Sequence, residues 1–230
     1  MEKVKWWTKT PTKCEVYERN QRLEFEVGIT DEGVHFACVG VVSRDRYDLT
    51  KGKVSIYITN TGEIAQECAL LISPHKTTTD FPRNLPDYYA ILLLAMPNFY
   101  ATHIYRRVGG GDFERIYAGS YVASGSLKME IEAGFIRFYL GDTLLTYDAY
   151  RLPNYECYIY IYRYASGCCI DPSWADDFYC EYVGTVEEKV EAQTRIYQQR
   201  ISEWMKANWI PLSVICIVLA IVFAIIMGLI

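Results

Sequence analysis

The 230-residue chain has little histidine, no excess of basic residues and no asparagine glycosylation triplet. Three histidines, His35, His75 and His103, supply few metal ligands and few general bases near neutral pH, so a metal-dependent enzyme is disfavoured. Lys and Arg number 23 against 28 Asp and Glu, which disfavours a nucleic-acid-binding protein. The absence of Asn-x-Ser/Thr gives no support to a glycosylated ectodomain.

Motifs that would identify an enzyme or a metal site are also absent. No cysteine pairs have the CxxC…CxxC spacing of a zinc ribbon. No Lys-Ser/Thr follows the glycine run at 109–111, so this run predicts a loop that does not bind phosphate. Glu130 and Glu132 share a strand face and could flank a glycosidic bond, but a solvated strand face is the simpler interpretation. We therefore predict no catalytic residue, no metal site and no cofactor.

The composition favours a folded protein rich in strands. Hydrophobic residues make up 51% of the chain and charged residues 22%, which suffices for one sizeable core. Twenty Tyr and nine Phe favour strands, because aromatic side chains fit the half-buried surface of a pleated sheet.

Short alternating runs separated by turn residues fill residues 23–165. The clearest are Leu127–Glu132 and Phe135–Leu140, which Ala133 and Gly134 join as a hairpin. About eleven strands follow one another at a spacing near ten residues, with no amphipathic helix between them. The predicted fold class is all-β, an antiparallel two-sheet jelly-roll sandwich.

The run Gly134–Asp142, with the sequence GFIRFYLGD, resembles the hairpin and reverse turn of concanavalin A-like lectin/glucanase domains. In that family a strand is followed by a Phe-Tyr-x-Gly/Asn turn and another strand. Tyr89–Leu94 and Tyr158–Tyr162 occupy the places of two further core strands in the same order. The resemblance covers residues 23–165 and implies a jelly roll of the kind that often binds glycans on its concave sheet or its rim loops.

Residues 209–230 are 22 consecutive uncharged residues, from Trp209 to Ile230. At about 1.5 Å per residue this run is about 33 Å long, which matches the hydrocarbon core of a bilayer. Trp204 and Trp209 stand where an interfacial aromatic belt would lie, and Pro211 falls near the membrane entry. We predict that the long C-terminal α-helix ends as a single transmembrane segment. The side of the membrane on which the sandwich lies stays open.

Three further segments flank the predicted sandwich. Residues 1–22 are expected to form an N-terminal arm or a first edge strand, residues 166–184 a Cys- and Asp-rich connector and residues 185–208 a helical stem. Thr185 and Glu188 have the spacing of a capping box at the start of the stem. The partly apolar stripe of the stem predicts packing against copies of the chain or against a partner stem.

The cysteines of the connector are candidates for a disulfide. Cys216 falls in the predicted membrane span, which leaves seven cysteines in the rest of the chain, so at least one thiol stays free or pairs between chains. We expect Cys180 to pair with Cys168 or Cys169, because all three fall in one loop-like segment. The acidic residues of the same segment do not have the spacing of a calcium-binding loop.

A ladder of tyrosines is the candidate ligand-binding site. Tyr158, Tyr160 and Tyr162 alternate with other residues and therefore share one face of their strand. Aromatic rings stack on the C–H patches of sugars, so this face suits glycan binding. Arg137 and Tyr139 share a face of another strand and would extend the site. The alternative is that the tyrosines fill a sheet interface, with their hydroxyls at its edge.

Together these features resemble an archaeal virus or archaeal envelope protein, such as a tail or nozzle component of a spindle-shaped virion. We predict a single-pass, membrane-anchored, non-enzymatic structural and attachment protein of a virion envelope or cell surface. Its expected partners are the lipid membrane, copies of itself, other virion or envelope proteins and host glycans, with no nucleic acid. The alternatives are a membrane-bound glycoside hydrolase and a tail-anchored cellular scaffold without glycan affinity.

Overall fold

The computed structural model describes residues 1–8, 14–19, 22–27, 36–60, 66–96, 99–119, 122–166, 173–184 and 194–203, the last without residues 196 and 199. One short 3-10 helix, Pro82–Asn84, lies in these residues. The strands are β1 Glu2–Thr8, β2 Cys14–Arg19, β3 Arg22–Val27, β4 Phe36–Val42, β5 Tyr47–Asp48, β6 Gly52–Asn60, β7 Gln66–Ser73, β8 Tyr88–Met96, β9 Phe99–Arg107, β10 Glu114–Gly119, β11 Ser124–Glu132, β12 Phe135–Leu140, β13 Thr143–Ala149, β14 Glu156–Ser166 and β15 Ser173–Glu181.

The strands form two antiparallel sheets. The first sheet has the order β1-β4-β14-β7-β8-β9-β10, with β5 paired to β14. The second sheet has the order β13-β12-β11-β6-β15-β3-β2. The predicted all-β, two-sheet antiparallel sandwich is therefore confirmed.

The main core lies between the two sheets. Val54, Ile56 and Ile58 alternate along β6 with more exposed residues, and all three are buried in this core. Ile159 and Ile161 of β14 join the same cluster from the first sheet. Each such side chain stabilises the fold by about 1.5–3 kcal/mol when it leaves water, so the alternation fixes which face of each strand turns inward.

The predicted hairpin is present as β11 and β12. Glu132 pairs with Phe135 across a two-residue turn. Ala133 and Gly134 both have positive φ, at 51° and 79°. This is the geometry of a type I′ turn, whose twist matches that of the strands it joins.

The outer face of the first sheet is buried as well. Every residue of β7 is buried, as expected for a strand covered on both sides. Residues 74–87, which we call the cover segment, lie over this face together with Trp6 of β1. The side chains of this second cluster are Val4, Trp6, Cys38, Val42, Ala69, Leu71, Leu85, Tyr88, Ala90, Leu92, Tyr160 and Tyr162.

The sheets extend beyond the limits that the sequence predicts for the sandwich. Residues 1–22 contribute two complete strands, β1 and β2, in place of a single arm or edge strand. In the predicted connector, β15 lies inside the second sheet between β6 and β3. The sequence SWADDFYCE alternates poorly because β15 has an irregular register between Asp176 and Tyr179, and this irregularity hides the strand from pattern analysis.

The chain divides into two compact units, Met1–Val186 and Glu187–Ile230. In the second unit the described residues between 194 and 203 have helical backbone. Within the described part of the chain, no helix is long and apolar enough to span a bilayer. The predicted span 209–230, with Trp209, Pro211 and Ile230, lies outside the described residues, as does most of the predicted stem.

Candidate functional site

The tyrosine ladder of β14 is covered in the structure, which corrects the expectation of an exposed face. Tyr160 and Tyr162 are fully buried beneath the cover segment, and only Tyr158 is partly exposed among the three. The ring centres of Trp6 and Tyr160 are 6.0 Å apart, and those of Phe81 and Tyr162 are 5.8 Å apart. The two buried rings cannot stack on a saccharide in this arrangement, because other side chains already occupy their faces.

Hydrogen bonds join the ladder to the cover segment. The Tyr160 hydroxyl donates to the carbonyl of His75 at 2.8 Å and accepts from the backbone N–H of Thr77 at 2.9 Å. The indole N–H of Trp6 donates to the Thr77 carbonyl at 2.9 Å. The hydroxyl of Tyr160 is thus the hydrogen-bond partner of two backbone groups of the cover segment. Burial raises the pKa of this phenol.

A buried acid lies at the end of the ladder. Glu67 of β7 is contacted by the Tyr162 hydroxyl and forms a salt bridge of 3.5 Å with Arg83 of the cover segment. Burial raises the pKa of Glu67, and the charge of Arg83 opposes this shift. The pair holds the 3-10 helix over the sheet, since breaking it would leave one charge buried.

Asp87 holds the other end of the cover segment. Its carboxylate contacts His75 Nε2 at 2.9 Å and accepts from the backbone N–H of Gly109 at 2.6 Å. The Ser73 hydroxyl donates to the Asp87 carbonyl at 2.6 Å. Ser73, His75 and Asp87 are therefore close together, but the serine hydroxyl bonds backbone and is not aligned with the imidazole as a nucleophile would be.

Arg137 and Tyr139 lie on the opposite side of the sandwich. Both point outward from β12, because their neighbours Ile136 and Phe138 are buried in the main core. The outer face of the second sheet, which we call the open face, carries these two residues. The structure thus separates them from the tyrosine ladder, with which the sequence groups them.

Strand pairing aligns two rows of outward side chains across five strands of the open face. One row alternates in charge and ends in a tyrosine: Glu181, Lys53, Glu130, Arg137 and Tyr147. The neighbouring row carries two further tyrosines: Tyr179, Ser55, Lys128, Tyr139 and Leu144. Tyr147 is 65% exposed and Tyr179 is 49% exposed, so their rings are accessible.

A cation lies over several of the rings on the open face. Lys128 Nζ is 4.1 Å from the centre of the Tyr139 ring, and Lys53 Nζ is 5.7 Å from that of Tyr179. Burial raises the pKa of Tyr139, and a hydrogen bond to Glu130 raises it further. Such contacts fix the rings in place before any ligand arrives.

A second aromatic group lies at the other end of the open face. The guanidinium carbon of Arg22 is 4.5 Å from the centre of the Trp174 ring, and that of Arg19 is 3.9 Å from Tyr17. Glu24 pairs with Trp174 on one side and with Tyr17 on the other. The rings of these two residues therefore flank one carboxylate.

The cations of the open face are paired with acids. Glu24 binds Arg22 at 3.0 Å and Arg19 at 3.8 Å. Glu130 lies 3.4 Å from Lys128 and 3.9 Å from Lys53. The open face therefore carries aromatic rings beside hydrogen-bond donors and acceptors. Because its charges are paired, its net electrostatic attraction for an anion is small.

The glutamates considered for catalysis are part of this salt-bridge network. Glu130 contacts two lysines, and Glu132 lies 3.9 Å from Arg137. In the described part of the chain, no group of three or more His, Cys, Asp or Glu side chains could hold a metal ion. Asp171, one of the acidic residues of the predicted connector, lies outside the described residues.

The predicted disulfide falls partly outside the described residues, because Cys168 and Cys169 both lie there. Cys180 is a partly buried thiol on β15. Burial raises its pKa to about 12. The pairing stays a prediction.

Several residues of the open face are missing from the sequence prediction. The sequence places Trp174 and Tyr179 in an irregular connector, where no strand face orders their side chains. Tyr57 is 37% exposed, and its alternation with Ile56 and Ile58 was the signal for an outward ring on β6.

Three solved structures are similar to the chain at low sequence identity. A glycosidic hydrolase is 10% identical, with a TM-score of 0.53 over 80% of this chain and 90% of that chain. The exoplasmic/lumenal domain of VIP36 in its Ca²⁺/Man-bound form is 10% identical, with a TM-score of 0.49 over 80% and 89%. The carbohydrate-binding module CBM66 from Bacillus subtilis is 10% identical, with a TM-score of 0.43 over 79% and 96%.

These similarities concern the fold alone. The chain has the concanavalin A-like lectin/glucanase β-sandwich fold. No protein-family model matches the sequence, and no curated protein matches it. The fold alone does not determine what the chain binds, because the side chains of a site set its function.

Proposed function

We propose that the open face binds a neutral saccharide and that the sandwich is a non-catalytic carbohydrate-binding domain. The observation that carries this proposal is a set of rings beside paired charges on one face of the second sheet. Three of these rings are exposed, those of Tyr57, Tyr147 and Tyr179, and two are partly exposed, those of Tyr139 and Trp174.

The chemistry of the face fits hydroxyl-rich ligands. A sugar ring presents C–H groups that stack on tyrosine and tryptophan, and its hydroxyls both donate and accept hydrogen bonds. Glu130 can accept from a hydroxyl while Lys128 donates to the next one, and the Tyr139 ring lies beside both side chains. The pairing of the cations with acids favours a neutral ligand over a polyanion, because an anion would have to displace a carboxylate.

Binding should be weak and should depend on the rings. We expect a dissociation constant near the millimolar range, to which each stacked ring contributes on the order of 1 kcal/mol. Tyr179→Ala and Tyr139→Ala should each weaken binding about fivefold to tenfold, measured with the full chain by affinity electrophoresis in gels that contain neutral polysaccharides.

Phe113→Ala is the matched control, since Phe113 is 63% exposed but lies outside the second sheet, between β9 and β10. Its binding should equal that of the parent chain. Retardation by acidic polysaccharides alone would contradict the proposal of a neutral ligand. Release of reducing ends from any polysaccharide would favour the glycoside hydrolase instead.

We further propose that the sandwich is displayed at a membrane as a structural and attachment protein of a virion or archaeal envelope. The apolar run 209–230 supports the anchor, and the open face supports attachment. Several copies on one particle would provide the avidity that single millimolar sites lack.

Deletion of residues 209–230 should release the chain from membranes. The hydrophobic run is the only segment of its length without a charge in the sequence, so the truncated chain should stay in the supernatant after a carbonate wash. The full chain, washed in parallel, is the control and should stay in the membrane pellet. A truncated chain that still pellets would disprove the anchor.

A further inference from the structure

The outer face of the first sheet continues beyond the cover segment over β9 and β10. Ile104 of β9 is buried in the main core, so its neighbours His103 and Tyr105 point to the other side of the sheet. Tyr105 packs against the second cluster of buried side chains, which confirms this direction. Arg115 of β10 pairs with Tyr105 across the strands and is exposed. We call His103, Tyr105, Arg115 and Phe113, which precedes β10, the basic patch.

Tyr105 lies at the centre of the basic patch. Its ring centre is 5.9 Å from that of His103 and 5.7 Å from that of Phe113, and both pairs meet edge-on. The guanidinium carbon of Arg83 is 5.4 Å from the centre of the same ring. Phe113 is 63% exposed, so one ring of this group is open to a ligand. The patch therefore joins an accessible aromatic wall to basic side chains.

The imidazole of His103 has one nitrogen engaged and one free to bind a ligand. The Tyr105 hydroxyl contacts Nδ1 at 3.3 Å. Nε2 is accessible to solvent and has no hydrogen-bond partner among the described residues. When Nδ1 accepts from the hydroxyl, the proton of a neutral imidazole is on Nε2, which is then a donor that points away from the ring of Tyr105.

The charge of Arg115 is not neutralised within the part of the chain that the structure describes. No described carboxylate forms a salt bridge with it. Its neighbour in sequence, Glu114, binds Arg106. This differs from the open face, whose cations are paired with acids. The basic patch therefore attracts anions, and the open face does not.

The surroundings of His103 show the same positive field. Burial lowers the pKa of His103, and the charges of Arg115 and Arg83 lower it further. These two arginines come from β10 and from the cover segment, and the residues opposite His103 on the neighbouring strands, Leu92 and Ala118, carry no charge. An anion bound at the patch would relieve the repulsion between the imidazolium and the arginines.

We propose that the basic patch binds a phosphate monoester, with its oxyanion held by Arg115 and by Nε2 of His103 and its organic group against Phe113. A guanidinium binds two oxygens of a phosphate side by side, which leaves a third oxygen for the imidazole. Arg83 already forms a salt bridge of 3.5 Å with Glu67, so Arg115 is the arginine left for the ligand. The site is on the first sheet and the open face is on the second, so either proposal can fail without the other.

Other ligands fit the basic patch less well. A divalent cation would be repelled by Arg115 and needs several oxygen ligands, which the described residues do not group. A neutral saccharide would gain nothing from the charge of Arg115. A carboxylate has two oxygens, and a guanidinium that binds both leaves none for His103.

The proposal is tested by nuclear magnetic resonance on the full chain, isotope-labelled at its histidines and titrated with phenyl phosphate, inorganic phosphate and phenol. Phenyl phosphate should give saturable shifts of the His103 ring signals and none at His75, which faces Asp87. Inorganic phosphate should bind about threefold to fivefold more weakly because it lacks the ring, and phenol at least about tenfold more weakly because it lacks the charge. Saturation with phenyl phosphate should raise the pKa of His103, because a nearby anion favours the imidazolium.

Variants at exposed positions assign the parts of the site. Arg115→Ala should weaken phenyl phosphate binding about tenfold, and Arg115→Lys by a smaller factor, because lysine keeps the charge and loses the planar fork. Phe113→Ala should weaken phenyl phosphate binding about threefold and leave inorganic phosphate binding unchanged. Arg44→Ala, at another exposed arginine between β4 and β5, and Tyr179→Ala, on the open face, should bind as the parent does.

Several results would overturn the proposal. Absence of a saturable shift at His103, a pKa of His103 that does not rise at saturation, unchanged binding by Arg115→Ala, or equal affinity for phenol would each exclude an oxyanion site at the basic patch. Equal affinity for inorganic phosphate and phenyl phosphate would overturn the contact with Phe113 and thus the assignment of the ligand as an ester.

Discussion

Tyr160→Ala should destabilise the sandwich by about 3–5 kcal/mol, the range for truncating a large buried aromatic side chain. The Tyr160 ring is fully buried against Trp6, and its hydroxyl bonds the backbone of His75 and Thr77. The substitution therefore opens a cavity and also frees the cover segment. Urea unfolding of the full chain, followed by intrinsic fluorescence, measures the change in the free energy of unfolding.

Two variants show which part of the loss of stability comes from the hydroxyl of Tyr160 and whether losing any tyrosine ring has the same effect. Tyr160→Phe keeps the ring and leaves the Thr77 N–H without its acceptor, so about 1–3 kcal/mol should be lost. Tyr147→Ala removes a ring that is 65% exposed and should change stability by less than about 0.5 kcal/mol. If Tyr160→Ala unfolded at the same urea concentration as the parent, the ladder would not be part of the core.

The burial of this ladder illustrates what a strand pattern can and cannot predict. Alternation placed Tyr158, Tyr160 and Tyr162 on one face, and the structure agrees. Alternation does not say what covers a face. The apolar runs of β7 and β8 do not alternate with polar residues, which indicates strands that are buried on both sides. This pattern could have predicted that the outer face of the first sheet is covered.

The hairpin β11–β12 was predictable for a local reason. Its two strands are joined by two residues of positive φ, and the pattern of four buried residues, Met129, Ile131, Ile136 and Phe138, fixes its register. The place of β15 was not predictable in this way. Its partners β6 and β3 are more than one hundred residues away in the chain, and its irregular register near Asp176 breaks the alternation.

The open face depends on the same non-local pairing. Tyr179 meets Ser55 and Lys128 meets Tyr139 only because β15, β6, β11 and β12 are neighbours in the second sheet. The sequence contains the rings and the charges but not their order across the strands. For this reason Arg137 and Tyr139 could be selected as candidates while Trp174 and Tyr179 could not.

Arg163→Ala should destabilise the sandwich by about 2–6 kcal/mol, because each of the two buried acceptors that lose this guanidinium donor costs about 1–3 kcal/mol. Arg163 of β14 is fully buried between the sheets. Its guanidinium donates to the Phe25 carbonyl of β3 at 2.9 Å and to Oε1 of Gln66 on β7. It therefore joins the first sheet to the second through hydrogen bonds, and the loss should appear in urea unfolding of the full chain.

The Arg163→Met variant tests how much of this loss comes from the cavity and how much from the hydrogen bonds. Methionine fills much of the volume and buries no charge, so Arg163→Met should recover part of the stability that Arg163→Ala loses. Arg115→Ala, at an exposed position of β10, should change the free energy of unfolding by less than about 0.5 kcal/mol. A loss below about 1 kcal/mol for Arg163→Ala would mean that water or a neighbouring side chain replaces the guanidinium, and the link between the sheets would then be of little energetic importance.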